Sequence, residues 1–141
     1  MKFGSRRLVS LAALLAAVAL ALAGCGGSSD QKKGTGSDEQ LTATPAAQAS
    51  APPSDAKVIQ VTVDGDSVTP SGDQVTVQRN QPIVFQIDAT EEGELHVHSS
   101  PAKAIEYPAG KSQVQITIDK PGVIEAEIEN LGKLVVQLEV K

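Results

Sequence analysis

Ile124-Glu125-Ala126-Glu127-Ile128-Glu129 alternates apolar and acidic residues at every step. Side chains of an extended strand point to opposite faces in turn. This stretch therefore sets Ile124, Ala126 and Ile128 against three glutamates on the other side. A helix would scatter both kinds around its axis, so the stretch predicts a strand with one buried and one wet face. The same period of two recurs on both sides of it. Val114, Ile116 and Ile118 precede it, and Leu134, Val136, Leu138 and Val140 follow. Further back come Ile59, Val61 and Val63, then Val75 and Val77, then Ile83, Phe85 and Ile87, then Leu95 and Val97. Turn residues part these sets: Asp64-Gly65-Asp66, Ser71-Gly72-Asp73, Asn80-Gln81-Pro82, Glu91-Glu92-Gly93, Pro108-Ala109-Gly110, Pro121-Gly122 and Asn130-Leu131-Gly132.

Residues 57–141 hold 13 Val and 8 Ile but only 4 Leu, an excess of β-branched side chains that favours strands. No stretch carries a helical apolar stripe longer than a turn or two. Short strands with regular turns predict an all-β fold, a Greek-key β-sandwich of seven to eight strands. Phe85 and Tyr107 are the only aromatic residues in this segment, so Val and Ile must fill the core, with Phe85 its largest piece. Tyr107-Pro108 reads as a loop contact or as a ring packed at the rim.

The start of the chain reads differently. Met1 to Arg7 is short and basic, and 8–23 is apolar except for Ser10. That run is shorter than the roughly 20 residues a membrane span needs, and it ends in Leu22-Ala23-Gly24-Cys25. The four residues resemble the lipobox of bacterial lipoproteins, which implies removal of 1–24 and acylation of Cys25, with palmitate-type chains as the anchor. Ser5-Arg6-Arg7 leaves twin-arginine export open beside the general secretory route. Cys25 is the only cysteine, so acylation leaves no thiol for a disulfide or a thiolate site. Residues 25–56, the lipidated cysteine and a Gly/Ser/Ala/Pro-rich stretch with one sizeable apolar residue, Leu41, read as a disordered linker. The folded domain is expected over 57–141.

Without 1–24, nine basic residues face 17 acidic ones. An acidic surface argues against nucleic acid, which is bound through clustered Lys and Arg. It argues equally against an electrostatic grip on lipid head groups. The membrane is then reached through the lipid anchor alone, on the extracytoplasmic side of the cell envelope.

The order and spacing of Val61-Thr62-Val63-Asp64-Gly65, Val75 through Ile83, Leu95-His96-Val97-His98 and Pro121-Gly122-Val123 through Leu138 resemble the cupredoxin fold. The similarity spans about residues 58–140. It is to cupredoxin-like domains of exported bacterial proteins that carry a His-x-His strand and lack a full copper centre. The family's blue copper site needs one strand histidine, then a cysteine, a second histidine and usually a methionine near the last two strands. His96 or His98 matches the first ligand. The connection Glu129-Asn130-Leu131-Gly132-Lys133 supplies none of the others, and Met1 is the only methionine. Blue-copper electron transfer is therefore excluded.

Glu94, His96 and His98 share one side of a strand, roughly 6.6–6.8 Å apart in turn. Two imidazoles and a carboxylate suit Cu(II) or Zn(II). The plain alternative is a solvated polar face opposite Leu95 and Val97. The glutamates at 125, 127 and 129 read as another exposed face that discourages edge pairing. No phosphate loop, nucleophile elbow or Ser/His/Asp spacing is present. The expectation is a lipid-anchored, non-catalytic module that binds an envelope protein, or alternatively one that binds copper or zinc weakly through His96, His98 and Glu94.

Overall fold

The alternation of 124–128 is a strand, and its apolar side faces inward: Ile124, Ala126 and Ile128 are all buried. The computed structural model describes residues 38–141. The expected signal segment 1–24, Cys25 and the first part of the linker lie outside the described residues. Eleven strands follow in order. They are β1 (Glu39–Thr42), β2 (Thr44–Pro45), β3 (Lys57–Asp64), β4 (Ser67–Thr69), β5 (Asp73–Val77), β6 (Ile83–Ala89), β7 (Gly93–Val97), β8 (Lys103–Tyr107), β9 (Gly110–Ile116), β10 (Gly122–Ile128) and β11 (Lys133–Val140). A 3₁₀ turn at Glu129–Leu131 joins the last two.

The strands form two mixed sheets. One has six strands in the order β1-β8-β7-β10-β11-β5, and the other has five in the order β2-β9-β6-β3-β4. Neighbours are mostly not consecutive in sequence, so the chain crosses repeatedly between the sheets. β3 lies parallel to β6, and β5 parallel to β11. Inward-facing Val and Ile from both sheets interdigitate around Phe85, which is fully buried and is the largest such side chain. The register of β10 against β11 slips between Ala126 and Glu127, where Val135 is passed over. This bulge sets Val135 and Val136 both in the core, where plain alternation predicts Leu134 and Val136.

Two parts of the sequence expectation need correction. The disordered linker was expected to run to residue 56, yet β1 and β2 lie inside it. β1 pairs parallel to β8, and β2 pairs antiparallel to β9. Residues 39–45 thus pass from the edge of one sheet to the edge of the other. Ala43, at the crossing, is 2% exposed, and its N–H donates to the Glu106 carbonyl at 2.7 Å. Farther on, the Ser50 and Asp55 carbonyls accept from the side-chain amides of Gln113 and Gln81. A segment with one large apolar residue is ordered because backbone hydrogen bonds to two open edges stand in for side-chain burial. The second correction is Tyr107. It ends β8, is 3% exposed and belongs to the core. Its ring lies over Gly93, its antiparallel partner on β7.

Candidate functional site

β7 sits between β8 and β10 in the six-stranded sheet, and its alternation divides its side chains cleanly. Leu95 and Val97 point into the core and are 0% exposed. Glu94 and His96 therefore face outward, and both are half-buried. His98 follows the last residue of the strand. Its N–H donates to the Glu125 carbonyl of β10 at 2.9 Å, so it still follows the ladder. The two imidazoles come together with ring centroids 4.8 Å apart and planes tilted by 35°.

Carboxylates surround the pair. His96 Nδ1 stands 3.4 Å from Glu94 Oε1 and 3.9 Å from Glu129 Oε2, and His96 Nε2 stands 3.9 Å from Asp38 Oδ2. His98 Nε2 is 2.8 Å from Glu127 Oε1. The register explains these neighbours, because Glu127 lies directly opposite His96 on β10 and Ala104 lies opposite it on β8. Glu94, His96 and His98, expected on one side of a strand, do lie together. Glu127, Glu129 and Asp38 were not attached to them by sequence reasoning. Strand order alone brings β10 beside β7, and no local pattern encodes that order. Glu125 stays apart, and its Oε1 accepts from Gln137 Nε2 at 3.3 Å. Among the described residues no three such side chains already converge on the position of one ion.

A blue copper centre does not fit. The inward positions on β7 are Leu95 and Val97, the inward residue ending β10 is Ile128, and the connection that follows has neither sulfur nor imidazole. A cavity of about 730 Å³ opens at this end of β7 and β8, lined by Thr42, Ala43, Glu92, Glu94, Glu106 and Tyr107 among others, with no metal-binding imidazole or thiol. Burial also pushes the Tyr107 phenol above its usual pKa of 10.0. On the five-stranded sheet, a groove of about 320 Å³ is lined by Gln60, Gln86, Asp88, Lys111 and Gln113. Ser112 is buried beside it, and its Oγ has no hydrogen-bond partner. Both histidines lie on the other sheet, so no imidazole stands next to this hydroxyl.

No family model matches the sequence, and no curated protein is similar to it. Solved structures of amicyanin are similar in three dimensions. A copper(I) form of a methionine-to-alanine variant matches with a TM-score of 0.52 at 10% identity, covering 71% of this chain and 92% of that one. An oxidised methionine-to-lysine variant gives 0.52 at 11% identity over the same shares. Amicyanin from Paracoccus versutus gives 0.50 at 13% identity, covering 70% and 91%. At such identities the likeness concerns the fold, and with the two mixed sheets described above it makes this chain an all-β, cupredoxin-like sandwich.

Proposed function

We propose that this protein is a lipid-anchored, extracytoplasmic binding module without catalytic activity, and that its ligand is a divalent cation held on the outer face of the six-stranded sheet. Cu(II) is the first candidate and Zn(II) the alternative. The observation that carries the reading is the pair of imidazoles 4.8 Å apart, ringed by Glu94, Glu127 and Glu129. Two donors bound to one ion at roughly 2.0–2.2 Å each stand about 3–4 Å apart. The 3.4 Å between His96 Nδ1 and Glu94 Oε1 is of that size. An N/O set of this kind suits tetragonal Cu(II) and gives a pale spectrum without a thiolate band. The fold does not depend on the ion, because the core is built entirely from apolar side chains on the other face.

Titration of Cu(II) into the purified full chain, followed by electron paramagnetic resonance, tests this. One equivalent should bind with a micromolar dissociation constant at neutral pH, and replacing His96 and His98 together by Gln should abolish binding. No binding at micromolar Cu(II) would leave the second reading, an envelope protein with a basic surface. The outward glutamates of β7 and β10 favour that partner. The anchor is tested separately by mass spectrometry of the membrane-extracted protein, which should begin at an acylated Cys25. An intact Met1 would reject it.

A further inference from the structure

Asp38 belongs to the segment that crosses the sandwich edge, and it reaches the histidine face. The strap 38–45 is held mainly by backbone. The Glu39 N–H donates to the Ala102 carbonyl at 2.6 Å, the Ala43 N–H donates to Glu106, and the Glu39 carboxylate pairs with Lys103. Of its side chains only Leu41 and Ala43 contribute to the core, and the rest of β1 is exposed. An edge strand with few apolar contacts and exposed hydrogen bonds opens locally at low cost. Its first residue, meanwhile, meets an acidic face. Asp38 Oδ2 approaches His96 Nε2, while Glu94 and Glu129 lie on the Nδ1 side of the same ring. Without an ion, docking the strap brings a third carboxylate towards two others. A divalent cation reverses the sign of that contribution, because every carboxylate then faces a larger positive charge.

We propose that cation binding at His96 and docking of the strap 38–45 are coupled: the ion draws Asp38 onto the face and fixes β1 against β8, and release of β1 weakens the ion's hold. This rests on the cation reading above. The coupling must be reciprocal, since two events linked through one free energy change each other by the same factor. Couplings of about 5–150-fold are typical, and a single added carboxylate places this one at about tenfold.

Hydrogen exchange read by mass spectrometry on the full chain, with and without saturating Cu(II), tests it. Peptides covering 38–45 should exchange about tenfold more slowly with the ion, while peptides from β3 and β4, in the other sheet, should not change. Asp38→Asn should reduce that slowing to less than about twofold and weaken Cu(II) binding by the same tenfold. If Cu(II) binds, as seen by resonance, but exchange in 38–45 is unaltered, the coupling is overturned and the cation site stands. Full affinity in Asp38→Asn overturns it as well. Failure of Cu(II) to bind the wild-type chain overturns both.

Discussion

Gly93→Ala should destabilise the domain by about 1 kcal/mol, although alanine is the better strand residue. Gly93 and Tyr107 are directly opposed on β7 and β8. A Cβ at Gly93 would lie 2.7 Å from Tyr107 Cζ and 3.2 Å from Cε2. Carbon pairs prefer about 3.5–4.0 Å, so the ring must retreat by about 0.8 Å. The ring is buried, so it can retreat only by pushing on packed neighbours. Overpacking of this size costs about 1–3 kcal/mol. Alanine returns about 0.5–1 kcal/mol of the backbone entropy that glycine loses in a strand, which gives the net figure. No left-handed backbone is involved at this glycine, so the contact is the whole cause. Urea unfolding followed by far-ultraviolet circular dichroism measures the effect. The discriminating control is the same substitution in a Tyr107→Ala background. With the ring gone, Gly93→Ala should become stabilising by about 0.5–1 kcal/mol. Equal cost in both backgrounds would refute the argument, because the glycine would then serve something other than the ring.

Phe85→Ala should cost about 3–5 kcal/mol in the same assay, since Phe85 is the largest fully buried side chain, and a loss below about 1 kcal/mol would mean that β6 is oriented the other way. Tyr107 is the only tyrosine, so absorbance at 295 nm titrates it alone. Its midpoint should lie above 10.0 in the native protein. The native state then holds a proton that the unfolded chain releases, so the stability this contributes is complete below pH 10 and is lost as pH rises through the native midpoint. Tyr107→Phe should flatten that alkaline decline. Mild proteolysis should leave residues 38–56 attached to the resistant fragment, with no cut near 56. Deleting 38–56 should lower stability by about 2 kcal/mol through the lost burial of Leu41 and Ala43, as read by the thermal midpoint.

The seven alternating sets in the sequence are all strands: β3, β5, β6, β7, β9, β10 and β11. They were legible because large apolar side chains recur on one face of each, an imprint of period two that the buried Val84 of β6 and the bulge at Val135 of β11 interrupt without hiding. β8 was not, because its outward Ala104 is buried next to inward Ile105 and the alternation is lost. β1 and β2 were not, because Glu39-Gln40-Leu41-Thr42 and Thr44-Pro45 have almost no apolar pattern to read. Their order comes from the edges of strands more than sixty residues further along the chain, as in the pairs Glu39 with Lys103 and Thr44 with Gln113. The candidate site divides along the same line. His96, His98 and Glu94 lie within five residues of each other and could be read together. Glu127 could not, since its place beside His98 depends on β10 lying next to β7.

On the cation reading proposed above, parity on β7 sets where an imidazole can meet an ion. Histidine at the positions of Leu95 and Val97 would point between the sheets, into a dry and rigid setting suited to electron transfer. Histidine at 96 and 98 points to solvent and to carboxylates instead, and a shift of one residue is the whole difference. An outward N/O site has open coordination positions and flexible ligands, so it exchanges its ion with the surroundings and does not confine an electron. On the cation reading, protons compete with the ion for the same imidazoles, so acid weakens the hold on it. On the reading proposed above, the fold supplies a stable platform, and the alternation of four residues, Leu95-His96-Val97-His98, turns that platform from redox chemistry towards reversible binding.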